Sequence, residues 1–292
     1  MAKKIYVHAG AHRSGTSSFQ MCLAENRDVL EAQGYDLAYP GRDGAPRGDL
    51  KLRFPGGRDP EGKVAIMAER AARNIAAVMT DPARDLILSE ENIPGRIYPM
   101  FKGRLFRDAA KRAGMVRAAL GQDADHLLFV LRPYADLFVS AYRLRAQDNR
   151  VRPFAEIVPN LLTMRRGWAD VVRDLGQGFG ADRITVVEFG QRGQSRDLLR
   201  RLAPGLDSLE LVEPTGRVNR SPGDAALMAV QARLGEGDAD DATLAQVLAD
   251  HAGDDRDLGF ASYAPQDRAQ LEARYAADLD KVAALPGITL IA

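Results

Sequence analysis

Apolar residues recur along this chain in two alternating patterns. Compact apolar runs at 5–7, 86–88 and 127–131 are typical of strands that are buried on both faces of a sheet. Between such runs apolar residues return every three or four positions, as at Val64, Met67, Ala71 and Ile75, which indicates helices that pack on the sheet. The alternation predicts an α/β fold with a parallel sheet covered by helices on both faces.

The same patterns predict where each element lies. Strands are expected at about 4–8, 85–89, 126–131 and 183–189, with a short one at 288–291 and an extended piece at 34–40. Helices are expected at about 15–33, 62–80, 103–120, 135–147, 153–175 with a break near Pro159, 195–202, 223–234, 239–249 and 265–285. We interpret 1–292 as one domain, with a core of about 1–202 and a helical extension of about 203–292. Residues 40–62, rich in Gly, Pro, Arg and Asp, form a long loop that we expect to be a lid or to face a substrate.

Composition narrows the functional classes. The 292 residues carry 40 basic and 40 acidic side chains, which argues against a general nucleic-acid binder. The single cysteine, Cys22, excludes an internal disulfide and a cysteine-rich metal site. Met1 to Lys4 lead directly into the first strand, and no run of about 18 apolar residues exists, so we expect neither a secretory signal nor a membrane span. A cytoplasmic enzyme is the expectation.

The glycine-bracketed turn after the first strand is the first candidate site. Strand, glycine-rich turn and helix in succession are the layout of a phosphate-binding loop, because backbone N–H groups and the helix N-terminus both attract anions. Gly10 and Gly15 have the spacing of the nucleotide-triphosphate loop G-x-x-x-x-G-K-[ST], but Thr16 stands where that loop has its lysine. The positive charge lies within the turn, at Arg13, and hydroxyls follow at Thr16, Ser17 and Ser18.

The second candidate site follows the most apolar strand. Arg132 is placed at the carboxyl end of that strand, where open α/β sheets bind ligands, and Ser140 comes eight residues later on the next helix. The alternative for Arg132 is an ion pair with a helix carboxylate such as Asp136.

Together these two stretches resemble the sulfotransferase family that uses 3′-phosphoadenosine-5′-phosphosulfate (PAPS). His8-x-Gly10-x-His12-Arg13-Ser14-Gly15-Thr16-Ser17-Ser18 is similar to the family's 5′-phosphosulfate loop, usually written with Lys-Thr-Gly-Thr. Arg132 and Ser140, with Pro133 and Tyr142, match its 3′-phosphate motif, and the two motifs have the family's order and separation. The resemblance covers residues 4 to about 200 and is weaker beyond, where Val218-Asn219-Arg220-Ser221 also looks like bacterial members.

The resemblance implies a parallel sheet of the P-loop kinase type with PAPS across the strand ends. The N–H groups of Ser14, Gly15, Thr16 and Ser17, with the hydroxyls of Thr16 and Ser17, would hold the 5′-phosphate. Arg132 and Ser140 would hold the 3′-phosphate, and Arg220 is a further candidate to close over the nucleotide. Arg13 stands where the family has its catalytic lysine; it can neutralise the leaving oxygen but, unlike lysine, cannot donate a proton to it. The product would be 3′-phosphoadenosine-5′-phosphate (PAP), and no metal is required.

A general base is needed to take the proton of an acceptor hydroxyl. Ser89-Glu90-Glu91-Asn92 follows a buried strand at the same sheet edge, and bacterial members of the family similarly carry a Ser-Glu pair there. We favour Glu90 over Glu91, and the alternative is that both carboxylates only cap the next segment. His8 and His12 are rival bases that we interpret as hydrogen-bonding residues of the loop.

The sequence therefore predicts a PAPS-dependent sulfotransferase acting on a hydroxyl acceptor, most simply a carbohydrate or a small molecule. The alternatives are a P-loop kinase or other phosphotransferase, which would need a lysine at position 16, and a non-catalytic nucleotide-binding relative. The neutral overall charge disfavours a highly sulfated polymer as acceptor. The acceptor and the oligomeric state are open.

Overall fold

The computed structural model of the chain describes residues 3–81, 83–215, 221–237 and 240–292. Six parallel strands form one sheet in the order β2-β3-β1-β4-β5-β6. The strands are β1 (Ile5–His8), β2 (Tyr35–Ala38), β3 (Asp85–Ser89), β4 (His126–Leu131), β5 (Ile184–Glu188) and β6 (Ile288–Ile291). From β1 the chain goes to the edge strand β2, returns to β3 beside β1, and then crosses to the other side of β1 for β4, β5 and β6, so a topological switch point lies beside β1. In open α/β sheets such a point is where ligands bind.

Eleven helices are present in the part of the chain that the structure describes. They are α1 (Thr16–Glu25), α2 (Arg27–Ala32), α3 (Glu61–Ala76), α4 (Ala109–Leu120), α5 (Tyr134–Arg145), α6 (Phe154–Leu162), α7 (Trp168–Phe179), α8 (Ser195–Leu202), α9 (Asp224–Glu236), α10 (Asp241–Asp250) and α11 (Pro265–Ala283). The predicted α/β class, a parallel sheet flanked by helices, is confirmed.

Two apolar cores cover the two faces of the sheet. Alternate residues of each strand enter alternate cores: Val7 and Phe129 belong to the larger core, whereas Tyr6 and Leu128 belong to the smaller one. The larger core contains residues of α3 to α7 and α11, and the smaller contains residues of α1, α2 and α8. This arrangement explains why the strands read as continuous apolar runs.

The structure corrects two predicted helices. The helix expected at 15–33 is divided at Asn26, whose buried side chain donates to the carbonyl of Cys22 and to that of Val212, each at 2.8 Å, and accepts from the N–H of Val212 at 2.7 Å. The break expected near Pro159 lies instead at 163–167, between α6 and α7. Pro159 lies inside α6, where it removes one backbone donor, and the helix continues past it to Leu162.

The C-terminal extension contains helices α9, α10 and α11 and ends in strand β6. β6 pairs in parallel with β5, with Val186 opposite Leu290, and so becomes an edge strand of the main sheet. α11 packs on α5, α6 and α7, and its buried Leu271 and Val282 join the larger core. None of the helices within the described ranges is long and apolar enough to cross a bilayer.

Candidate functional site

Strands β3, β1 and β4 end side by side at the switch point. His8 is paired with Ser89 on one side and with Leu128 on the other, and the N–H of Glu90 donates to the carbonyl of His8 at 3.1 Å. The N–H of Val130 donates to the carbonyl of Gly10 at 3.2 Å, so the turn after β1 is held against β4. The three stretches that the sequence singled out are therefore brought together at one edge of the sheet.

The turn between β1 and α1 fits tightly against the end of β3. Gly10 has a φ of 85°, and a Cβ atom there would lie 2.9 Å from the Cα of Glu91, closer than real Cβ contacts come. Gly15 has a φ of 94° and immediately precedes α1. Both glycines are therefore required by the backbone, the first also by its close approach to a neighbouring strand.

The first turn of α1 directs backbone N–H groups out of its N-terminus. The helix begins at Thr16, so its first N–H groups lie ahead of any acceptor within the helix, and Gly15 has no side chain that could cap them. The hydroxyls of Ser14 and Thr16 donate to the carbonyl of Ala11, at 2.6 and 2.9 Å, and both side chains are buried. The Thr16 hydroxyl thus bonds within the turn, and the N–H groups at the start of α1 are the part of this segment that an anion would meet.

Ser140 joins the two predicted motifs. Its buried hydroxyl accepts from Nε of Arg13 at 2.8 Å and from a terminal nitrogen of Arg132 at 3.3 Å. Arg132 also donates to the backbone carbonyl of Arg13 at 2.6 Å, and Arg13 donates to the hydroxyl of Ser221 at 2.9 Å. Arg13 therefore extends from its turn toward the predicted 3′-phosphate pair, with Ser221 as a further member of the group.

Arg132 is a cation held where water cannot fully solvate it. Burial lowers its pKa to about 10, an effect that Asp136 opposes and that the charges of Arg13 and Arg192 reinforce. Its Nε is buried and has no hydrogen-bond partner among the described residues, and no carboxylate there lies within ion-pair distance of it. The sequence left open an ion pair between Arg132 and Asp136. Among the described residues, Asp136 pairs instead with Arg268. A partly desolvated cation without a close counter-charge favours an anionic ligand.

Arg192 is a member of the site that the sequence analysis missed. Its guanidinium lies 3.7 Å from the centroid of the Phe189 ring, and Arg132 lies 4.7 Å from the same centroid. A Cβ atom on Gly15 would be 3.7 Å from Nε of Arg192, so this side chain stands at the start of α1. Its position after the apolar end of β5, the next strand of the sheet, was the available signal.

The paired carboxylates share Arg42 but differ in their other partners. Glu90 is 1% exposed, accepts from the N–H and side-chain amide of Asn92 at 2.9 and 3.0 Å, and is bound by both carboxylate oxygens to Arg42. Glu91 turns toward the loop, 3.5 Å from Nδ1 of His12 and 3.4 Å from Arg42. Burial raises the pKa of Glu91, but the hydrogen bond and charge of His12 and the charges of Arg42 and Arg13 outweigh it, so the net shift is downward.

The two histidines occupy the positions expected of hydrogen-bonding residues. Nδ1 of His8 lies 2.9 Å from the Ser89 hydroxyl, its ring packs 4.1 Å from that of Phe19, and burial lowers its pKa to about 3. His12 bridges Glu91 and the side-chain oxygen of Asn92, the latter at 3.1 Å from Nε2. His8 is enclosed beneath the loop, whereas His12 links the loop to the carboxylates.

A cavity of about 1200 Å³ opens beside Glu90. It lies between the segment 40–53 and one face of α3, and Arg42, Glu90 and Asn92 form its inner end. The long loop expected to face a substrate therefore does line a cavity. Its own structure consists of a short 3-10 turn (Arg42–Gly44) and an isolated bridge between Pro40 and Asp49.

Of the predicted site residues, only Arg220 falls outside the described ranges. Within those ranges, His, Cys, Asp and Glu side chains do not assemble into a group of three or more that could hold a metal ion. The chain matches no protein-family model, and no curated protein matches it.

Proposed function

We propose that this protein is a sulfotransferase that moves a sulfuryl group from PAPS to an acceptor hydroxyl. The observation that carries the proposal is the arginine cluster formed by Arg13, Arg132 and Arg192 around the start of α1. A nucleotide with phosphates at both its 3′ and 5′ positions would place anions against these three guanidinium groups. The resemblance of the two sequence motifs to that family supports the same donor.

Each part of the cluster fits one part of such a donor. The backbone N–H groups at the start of α1, with Arg192 beside them, would bind the 5′-phosphosulfate end. Arg132 and Ser140 would bind the 3′-phosphate, and the buried, unbonded Nε of Arg132 would gain an acceptor there. The fit with the 3′-phosphate distinguishes PAPS from ATP-like donors.

The residues at the end of β3 would activate the acceptor. In the proposed transfer the acceptor oxygen forms a bond to sulfur, its proton passes to Glu90, and the sulfur–oxygen bond to the nucleotide phosphate breaks. The bonding electrons stay on the phosphate oxygen, whose new charge Arg13 would stabilise without giving up a proton. We propose Glu90 as the base because it lines the cavity, whereas Glu91 is turned toward His12.

Because Glu90 is bound by Arg42, its role as base requires this ion pair to open. Arg42 is 40% exposed at its side chain and lines the same cavity, so an entering acceptor would contact it before it reaches Glu90. If Arg42 then bonded to the acceptor in place of Glu90, one carboxylate oxygen of Glu90 would be free to accept a hydrogen bond from the acceptor hydroxyl.

Binding of PAP tests the donor without knowledge of the acceptor. We expect calorimetry to show that the protein binds PAP more tightly than 5′-AMP, which lacks the 3′-phosphate. The Arg132→Ala variant should lose this preference, because each hydrogen bond to a charged group contributes about 1.5–3 kcal/mol, or roughly 10- to 150-fold in Kd. Arg192→Ala should weaken the binding of PAP and of 5′-AMP by similar factors, because it removes a contact to the 5′-phosphate that both ligands carry.

Arg117→Ala is the matched control. Arg117 lies at the far end of α4, paired with Asp123 just before β4, and so at the opposite edge of the sheet. Its removal should leave both affinities unchanged. Equal affinity of the unmodified protein for PAP and 5′-AMP would refute the proposed donor, and tight binding of ATP–Mg²⁺ without a 3′-phosphate preference would favour the kinase alternative.

Catalysis is tested separately by release of PAP from PAPS with a panel of hydroxyl acceptors. Glu90→Gln should abolish transfer while PAP still binds, and Glu91→Gln should retain it. A protein that binds PAP but transfers sulfate to none of these acceptors would favour the non-catalytic alternative.

We propose the cytoplasm as the site of this activity. Cys22 is the only cysteine of the chain and is fully buried, and burial raises the pKa of its thiol to about 12. An unreactive thiol is compatible with a reducing compartment. Detection of the tagged protein in fractionated cells tests this location.

A further inference from the structure

The cavity beside Glu90 is far more basic than the chain as a whole. Its lining contains six cationic side chains and one carboxylate, Glu90 itself, although the chain has equal numbers of basic and acidic residues. The cations are Arg42, Lys51, Arg53, Lys63, Arg70 and Arg73. Positive side chains are therefore concentrated around this cavity, and the acidic side chains that balance them in the whole chain lie elsewhere.

Most of these cations have no ion-pair partner among the side chains that the structure describes. Arg42 pairs with the two glutamates and Lys63 with Asp59 at 2.7 Å. For the other four, at positions 51, 53, 70 and 73, none of the carboxylates whose side chains the structure describes lies within ion-pair distance. Their charges are available to a ligand.

The cations of α3 form a row along the cavity. Lys63 and Arg70 lie seven residues apart on one face of α3, with Met67 between them, and Arg73 lies three residues further along the same side. At 1.5 Å per residue, these three cations span about 15 Å. A second cavity of about 510 Å³ shares Lys63 and Met67 with the first; it adds Arg58, Arg96, Arg104, Arg107 and Arg112, and two carboxylates, Asp59 and Asp108, which pair with Lys63 and Arg107. A ligand that used this row would be longer than a single sugar ring and would carry several negative groups.

The surroundings of Glu90 indicate what kind of chain would carry the hydroxyl. Glu90 is bonded to Arg42 and Asn92, and among the described residues no aromatic side chain lines this cavity, whose apolar lining is aliphatic, with Leu50, Leu52, Ile66 and Met67. A tyrosine ring brought to Glu90 would therefore find no ring to pack against. A sugar hydroxyl, flanked by further polar groups of its own ring, suits these neighbours.

We infer that the acceptor is an acidic sugar chain, whose negative groups bind the row of cations on α3 while one of its hydroxyls lies against Glu90. This inference rests on the proposed function, since it assigns the acceptor of the same site. It also revises the expectation that the neutral net charge disfavours a highly charged acceptor, because a strongly basic cavity is present in a chain whose total charge is zero.

Binding of defined hexasaccharides tests the inference independently of the donor. The probes are hexagalacturonate, with a carboxylate on each ring, sulfated maltohexaose, and neutral maltohexaose, each measured by calorimetry with and without PAP. We expect at least one acidic probe to bind at least about tenfold more tightly than maltohexaose, with an affinity that falls as salt is added. The acidic probe that binds better identifies the acidic group.

Charge reversal on α3 locates the binding. Arg70 and Arg73 are exposed positions of the helix, so the double variant Arg70→Glu, Arg73→Glu should fold normally. It should bind the acidic probe about tenfold more weakly or worse and leave the affinity for PAP unchanged. The matched control, Arg117→Glu at the opposite sheet edge, makes the same kind of change and should have no effect on either ligand.

The outcomes separate the two proposals. Acidic probes that bind no better than maltohexaose, or a double variant that binds them as the unmodified protein does, would overturn the inference even if PAP binds. Failure of PAP to bind, while hexasaccharide binding still depends on Arg70 and Arg73, would refute the donor and leave the acidic-sugar site standing. Sulfation of a tyrosine in an acidic peptide in preference to the hexasaccharides would overturn the assignment to sugar.

Discussion

Protonation of His8 should make the stability of this protein depend on pH in a defined direction. The side chain is 1% exposed, bonded to Ser89 and packed on Phe19, and burial lowers its pKa to about 3, with the charge of Glu91 in partial opposition. In the unfolded chain the pKa returns to about 6.5. Between these two values the unfolded state binds a proton and the folded state does not, so stability falls as the pH falls below about 6.5.

The size of the effect follows from the same two values. Each pH unit below 6.5 costs about 1.4 kcal/mol, so the free energy of unfolding should drop by about 2 kcal/mol between pH 7.5 and pH 5.0 because of His8 alone. Burial also lowers the pKa of His126, which adds a loss of the same sign. A variant that removes only the titration of His8 is therefore needed.

His8→Asn provides that variant, since asparagine can still bond to Ser89 and does not titrate. Urea unfolding gives the free energy of unfolding of each protein at pH 7.5 and at pH 5.0. Between these two pH values this free energy should fall by about 2 kcal/mol more in the unmodified protein than in the variant, whatever the variant's stability at pH 7.5. Nuclear magnetic resonance of the His8 ring should show no titration between pH 7.5 and 4.5. Equal losses in the two proteins, or a His8 ring that titrates near pH 6, would refute the reasoning.

Two further predictions concern the backbone of the site and the division of its first helix. In thermal melts, Gly10→Ala should destabilise the protein by at least about 1–2 kcal/mol, and it should also weaken PAP binding, because the φ of 85° and the 2.9 Å approach of a Cβ atom to Glu91 exclude a side chain. The control is Gly114→Ala on α4, where a Cβ atom would meet open space; it should leave stability unchanged or raise it. Asn26→Ala should lower the free energy of unfolding by about 1–2 kcal/mol in urea titrations, because it removes both hydrogen bonds that tie the backbone of Val212 to the end of α1; an unchanged midpoint for Gly10→Ala or Asn26→Ala would contradict the prediction for that variant.

The outcome for the carboxylates shows where local pattern is sufficient and where it fails. The apolar run at 86–88 correctly placed a strand there, and with it Glu90 and Glu91 directly after the end of β3, because a strand and its end are local properties. The pairing of Arg42 with both was not predictable, because Arg42 lies in an irregular segment whose path depends on what it packs against.

Sequence alone determined the parallel α/β fold, the glycine-bracketed turn after β1 and the candidate residues Arg13, Arg132 and Ser140, because strands, helices and tight turns depend on neighbours close in the chain. It did not determine where the helix after the turn divides, since Asn26 bonds to a residue 186 positions away. Nor did it reveal that Arg192 joins the site, or that cations spread over 42–73 gather around one cavity while the total charge stays zero. Those features depend on contacts between distant segments, which only the packing of helices on the sheet decides.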